Sequence, residues 1–160
     1  MQLGAPATAM RELHELLAYW ASLRHGGRIP CRADIDPCGF KRLLPTVSLI
    51  DVKHDPRDYR LRLAGTGLYT VYGGEITGKR LTDVYAAPAA EYWRSELDKV
   101  VDERKPQVGQ HSLAWRGAHH VNLLWLRLPL ASNGRDVDMI LGYDAVVGTP
   151  SEIYSGIRAA

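Results

Sequence analysis

The sequence predicts an α+β fold in which helices pack on an antiparallel sheet. Three observations predict it: an amphipathic helix early in the chain, a second near the middle, and three strand-like segments in the last half joined by turn-forming pairs. The chain has 160 residues, 46% hydrophobic and 24% charged. That suits one domain, which would bury about 70% of the surface its unfolded form exposes. Residues 1–7 read as a loose terminus, 8–45 as a helix with a connecting segment, 46–146 as the sheet-bearing core, and 147–160 as a short C-terminal helix or tail.

From Thr8, Met10, Leu13, Leu16, Leu17, Trp20 and Leu23 recur at helical spacing, with Arg11, Glu12, Glu15 and Ser22 on the other side. His25-Gly26-Gly27 ends this helix, because glycine permits the left-handed exit. Asp36-Pro37 is an N-cap followed by proline, opening a short turn that stops by Pro45. Thr46–Lys53 and Tyr59–Gly65 read as a hairpin, with Val52 opposite Tyr59, Ile50 opposite Leu61, Ser48 opposite Leu63 and Leu49 opposite Arg62. Asp51 then faces Arg60 as an ion pair. Thr66 caps a short helix containing Leu68, Val71 and Tyr72, and Gly73-Gly74 ends it. A brief turn follows over Leu81–Tyr85. Pro88 opens a longer helix with Trp93, Leu97, Val100 and Val101 on one stripe, and Arg94 and Asp98 at ion-pair spacing.

Gln107–Arg116, His119–Ala131 and Arg135–Ala145 read as a meander turning at Gly117-Ala118 and Asn133-Gly134. Two-residue turns would set Leu126 opposite Leu141, Leu124 opposite Tyr143, His111 opposite Leu124 and Trp115 opposite His120. One face then carries Leu113, Leu124, Leu126, Leu128, Leu130, Val137, Met139 and Leu141, and is read as the core side. The other is also apolar, with Val121, Leu123, Trp125 and Ile140 joined by Val47, Leu49 and Ala64. A free-standing sheet solvates one face, so something covers this one. The expected cover is the N-terminal helix through Leu13, Leu17 and Trp20, together with a second subunit in a homodimer.

Charge and motifs exclude several classes. Twenty basic and 18 acidic residues give a net charge of +2 with no basic block, so neither nucleic acid nor anionic lipid is an expected partner. No stretch has signal-peptide order or membrane-spanning length, and the expectation is a cytoplasmic protein whose Cys31 and Cys38 are free thiols. Gly65-Thr66-Gly67 begins a dinucleotide-loop pattern, but Thr70 holds the third glycine's place and no βαβ unit surrounds it. His111, His119 and His120 are poor metal ligands, since the register separates His111 from the His120 row by roughly 13 Å. No nucleophile elbow exists, and Asp138 and Asp144 fall on the outer face. Thr149-Pro150-Ser151-Glu152 is a capping box.

Several stretches carry a family likeness. They are Tyr19-Trp20 with Ser22-Leu23-Arg24, Pro30 with Asp34-Ile35-Asp36-Pro37, and Leu43-Leu44-Pro45. Further along come Tyr59-Arg60-Leu61-Arg62-Leu63-Ala64-Gly65-Thr66, Ile76-Thr77-Gly78-Lys79-Arg80-Leu81, Leu128-Pro129-Leu130 and Asp136-Val137-Asp138-Met139. In their order and spacing the chain resembles the PAS sensory domain, within a small bacterial branch of nearly stand-alone PAS domains. The resemblance implies a five-stranded antiparallel sheet in the order 2-1-5-4-3 with helices over one face. It also implies a role in signalling through a small molecule or a partner protein, without catalysis. Flavin-binding relatives use a reactive Cys on a helix beside the flavin. The corresponding Leu68–Tyr72 stretch has none, and no cofactor is indicated.

Within that fold, His111 and Tyr143 flank Leu124 on the predicted core face, with Trp115 further along and Tyr69 and Tyr72 on the short helix above. Apolar walls with a few convergent polar groups suit a small-molecule cavity, so these six are the candidate ligand-binding residues. Leu13, Leu17, Trp20, Leu123, Trp125 and Ile140 are the candidate interface. The competing reading is a ligand-free adaptor that works through its outer sheet face. A small cavity enzyme with His111 as base comes a distant third.

Overall fold

The structure, a computed structural model, describes residues 6–113 and 118–148. Helix α1 (Pro6–Ser22) leads through two short 3-10 turns to strands β1 (Val47–Lys53) and β2 (Asp58–Ala64). Helices α2 (Leu68–Tyr72), α3 (Leu81–Val84) and α4 (Ala87–Glu103) follow, then β3 (Gln107–Leu113), β4 (Ala118–Leu130) and β5 (Met139–Gly148). The five strands form one antiparallel sheet in the order β2-β1-β5-β4-β3, with the first strand central as the resemblance implies.

Both faces of the sheet are covered within one chain. Leu13, Leu16 and Trp20 of α1 bury against Leu49, Leu124, Leu126, Leu128, Leu141 and Tyr143, and Trp20 Nε1 donates to Pro129 O at 2.8 Å. On the opposite face Trp93, Leu97 and Val100 of α4, with Leu68 of α2, bury against Ile50, Leu61, Leu123, Trp125 and Ile140. The predicted faces are therefore exchanged. The row of Leu124, Leu126, Leu128, Leu130 and Leu141, read as the core side, lies under α1, and Leu123, Trp125, Ile140 and Ala64, read as outer, line the interior beneath α2–α4. Val47 and Leu49, read as outer, lie with the α1 side, and Val137, read as core, lies with the α4 side. Alternation separates two faces but does not say which helix covers which.

This exchange removes the predicted intersubunit surface. Leu13, Trp20, Leu123, Trp125 and Ile140 are buried inside the chain, and Leu17 packs partly buried against the α1-side cluster. These residues have intramolecular cover and offer no free face to a second subunit.

Two registers also differ from expectation. Gln110, not His111, lies opposite Leu124, and His111 faces Leu123. That one-residue slip turns His111 to the α4 side. Leu126 pairs with Tyr143 and Leu124 with Ala145, because β4 and β5 join through a longer loop than a two-residue turn. Asn133 Oδ1 accepts from the Arg135 and Asp136 amides there, and Gly134 takes φ +78°. In the first hairpin Val52, Ile50 and Asp51 pair as predicted, but a bulge sets Leu49 opposite Leu63 and Ser48 opposite Ala64.

Two predicted ion pairs are replaced. Asp51 is held by Arg62 at 2.9 Å rather than by Arg60. Asp98 meets Arg57 at 3.6 Å and the Tyr59 hydroxyl, while Arg94 donates to the Arg57 carbonyl. Cys31 and Cys38 are free. Trp115 and the Thr149–Glu152 capping box lie outside the described residues.

Candidate functional site

β4 reads Leu123-Leu124-Trp125-Leu126-Arg127-Leu128, and its alternation sends Leu123, Trp125 and Arg127 under α4. Arg127 therefore arrives in an apolar interior, where an isolated charge is costly. Asp144 of β5 answers it, with Arg127 Nη2 donating at 2.8 Å and the two side chains only 3% and 1% exposed. Nη1 donates to the carbonyls of Leu126 and Tyr143. The guanidinium lies over the Trp93 ring, 4.7 Å from its centroid.

The central strands are cut to fit this group. Ser48, Gly142 and Arg127 stand side by side across β1, β5 and β4. A Cβ on Gly142 would come within 2.6 Å of Ser48 Oγ and 3.2 Å of Arg127 Nη1. Gly142→Ala is expected to cost about 1–3 kcal/mol in denaturant unfolding, and Ser48→Gly in the same chain should recover part of it.

Trp93 is the hub of the aromatic cluster around the ion pair. Tyr85 stacks on it at 5.8 Å, and Tyr92, His111 and Trp125 meet it edge-on at 5.3, 5.7 and 5.3 Å. The Tyr85 hydroxyl donates to that of Tyr72 at 3.0 Å, joining α2 to the residue after α3. Three buried side-chain nitrogens in this cluster have no hydrogen-bond partner among the described residues: Trp93 Nε1, His111 Nε2 and Arg127 Nε. Buried polar groups are seldom left so.

Burial shapes the titration of these groups. It pushes the Asp144 carboxyl up despite the neighbouring Arg127, and it pushes the Tyr72 hydroxyl well above its ordinary value. It lowers His111 from 6.5. Below that ordinary value the unfolded chain binds the His111 proton more tightly than the native one, so acidification through this window destabilises the fold. His111→Phe would retain the stack on Tyr92, whose ring lies 4.0 Å away. Denaturant midpoints at about pH 7.5 and about pH 5.5 should therefore differ less for this variant than for the unaltered chain.

The interior is nearly filled. Between sheet and helices lies a void of about 10 Å³, lined among others by Ser48, Leu68, Tyr72, Tyr85, Trp93 and Arg127. That is about room for one water molecule.

The five predicted ligand residues that the structure describes are not brought together. Tyr72 lines the void and His111 packs at the edge of the same aromatic cluster. Tyr143 and Leu124 face α1, where the Tyr143 hydroxyl lies 3.4 Å from Ala9 O and Glu12 Oε1. Tyr69 is 40% exposed and bonded to Glu75. With the α4-side face as the interior, Arg127, Asp144, Ser48 and Trp93 form the centre of the site, none of them among the ligand residues that the sequence points to. A charge inside the run LLWLRLPL, with an Asp in the neighbouring strand segment GYDAVV, was the available signal.

The sheet order and the helices packed over it define an α+β class of domain. A family model described as PAS domain matches residues 8–144, and the chain belongs to that family. PAS domains are sensory and regulatory modules rather than enzymes. The PAS domain of Bordetella pertussis BvgS is similar with a TM-score of 0.53 and 18% identity, over 78% of this chain and 96% of that one. A Rhodobacter sphaeroides LOV protein gives 0.51 and 15%, over 79% and 75%. At such identities the likeness is one of fold. No curated protein matches the chain. Among the described residues no group of three or more His, Cys, Asp and Glu could hold a metal, and no helix is long and apolar enough to cross a membrane.

Proposed function

We propose that this PAS domain is a cytoplasmic, non-catalytic sensor in bacterial signalling, which admits a small molecule beneath α2–α4 and passes the change to a partner protein. The observation that carries the reading is the set of unpartnered nitrogens on Trp93, His111 and Arg127, gathered around one aromatic hub. Polar groups kept without partners in an apolar wall suit recognition of a ligand better than they suit stability.

The void of about 10 Å³ excludes an organic molecule in this closed form. Entry therefore requires movement, and 66–85 is the segment built to move. Its helix α2 has five residues, and Gly73, Gly74 and Gly78 sit at φ +77°, +151° and +84°. The Tyr72–Tyr85 hydrogen bond closes it over the sheet. A ligand shifts this balance only by binding the open arrangement better. Light-driven thiol adduct chemistry forms no part of the reading, since α2 has no cysteine.

A second reading, the ligand-free adaptor, is favoured by the filled interior. Its surface would be the shallow apolar groove of Leu44, Pro45, Val47, Leu63 and Ala64 beside the β2 edge, where Leu63 is 52% exposed. The two readings separate when protein purified from its own source is denatured and the supernatant analysed by mass spectrometry. The sensor reading expects a released small molecule approaching one per chain, and its absence favours the adaptor.

A further inference from the structure

We infer that the polar end of the admitted molecule is a carboxylate, held by the open edge of the Arg127 guanidinium and by the Trp93 indole N–H. This rests on the reading of that interior as a small-molecule site. Arg127 spends Nη1 on two backbone carbonyls and Nη2 on Asp144, which leaves Nε unbonded. Trp93 Nε1 is likewise unbonded, and both residues line the same void. Indole and Nε groups only donate, so the incoming group must accept.

A carboxylate matches the planar fork of a guanidinium and brings the opposite charge to its bonds, neither of which a hydroxyl does. Lysine in place of Arg127 would keep the charge but lose the fork. The rest of the wall, Leu61, Leu68, Leu81 and Leu97, asks for an apolar body behind the carboxylate. Two carboxylates on one guanidinium share a proton readily. Burial already favours that proton on Asp144, which Arg127, Tyr72 and Tyr85 face. The ligand's charge is thus offset without breaking the interior's neutrality.

The test titrates isotope-labelled protein with benzoate and, separately, with benzyl alcohol, following side-chain N–H resonances by NMR. The inference expects benzoate to shift the Arg127 Nε–H and Trp93 Nε1–H signals and to bind roughly tenfold or more tighter than the alcohol. Arg127→Lys, which keeps the charge but loses the fork, should cut that preference severalfold. Should that variant fail to fold, Trp93→Phe keeps the ring and removes one donor. It should weaken benzoate about three- to tenfold and the alcohol less. Equal binding of both probes, or benzoate binding that ignores both variants, overturns the carboxylate while the small-molecule reading stands. Binding of neither probe also overturns it. The released-molecule experiment then decides separately whether the interior is a ligand site at all.

Discussion

Asp144→Ala is expected to lower the unfolding free energy by about 3–5 kcal/mol, because it strands a buried guanidinium. Arg127 is 3% exposed on its side chain and sits between Trp93 and the sheet, so water cannot replace the lost carboxylate. Arg127→Met with Asp144→Leu should be much milder, since an apolar pair of similar volume removes the desolvation cost along with the attraction. Urea titrations of the single and double variants form the cycle that isolates the coupling. An Asp144→Ala chain within about 1 kcal/mol of the unaltered protein would show that the pair is not buried as described. The contrast also bears on function: if the double variant stays folded, the charged pair serves something other than stability.

Trp93→Ala is the second large effect, at about 3–5 kcal/mol. Trp93 is 1% exposed, and its indole touches Tyr85, Tyr92, His111, Trp125 and Arg127, so truncation leaves a hole that these neighbours cannot jointly fill. The hole adjoins the existing void. Added indole should therefore occupy it and raise the melting temperature of Trp93→Ala in a concentration-dependent way, by mass action on the native state. The same indole should do little to the unaltered chain while it is closed.

The element order was legible because each element carries a local signature. Helical spacing marks α1 and α4, proline and glycine mark their ends, and apolar runs mark the strands. The order of the five strands came from the family resemblance and matches the observed sheet. What alternation could not supply was the partner of each face. Leu126 and Trp125 both sit in apolar rows, and only the packing of α1 against one and α4 against the other distinguishes them.

Bulges and loops account for the rest. The shift between Ser112 and Leu113 moves His111 to the opposite face from the one a tight turn predicts. Asn133-Gly134 marks a turn, yet the Asn133 side chain binds two amides further on and lengthens the connection. The resulting shift is of two residues and leaves Tyr143 on the row of Leu124 and Leu126, so its place at the α1 contact follows from which helix covers that row. Charged residues are expected on solvated faces, so the sequence offers Arg127 no interior place until Asp144 stands beside it across the sheet.

The central claim is that 66–85 opens over an otherwise rigid interior. Native-state hydrogen exchange tests it most directly, by comparing amides of α2 and α3 with those of β4 and β5. The account predicts that the helical amides exchange through a local opening well below the global unfolding free energy, while the Arg127 and Asp144 amides exchange only with global unfolding. Equal protection of both sets would contradict it, for the interior would then have no door.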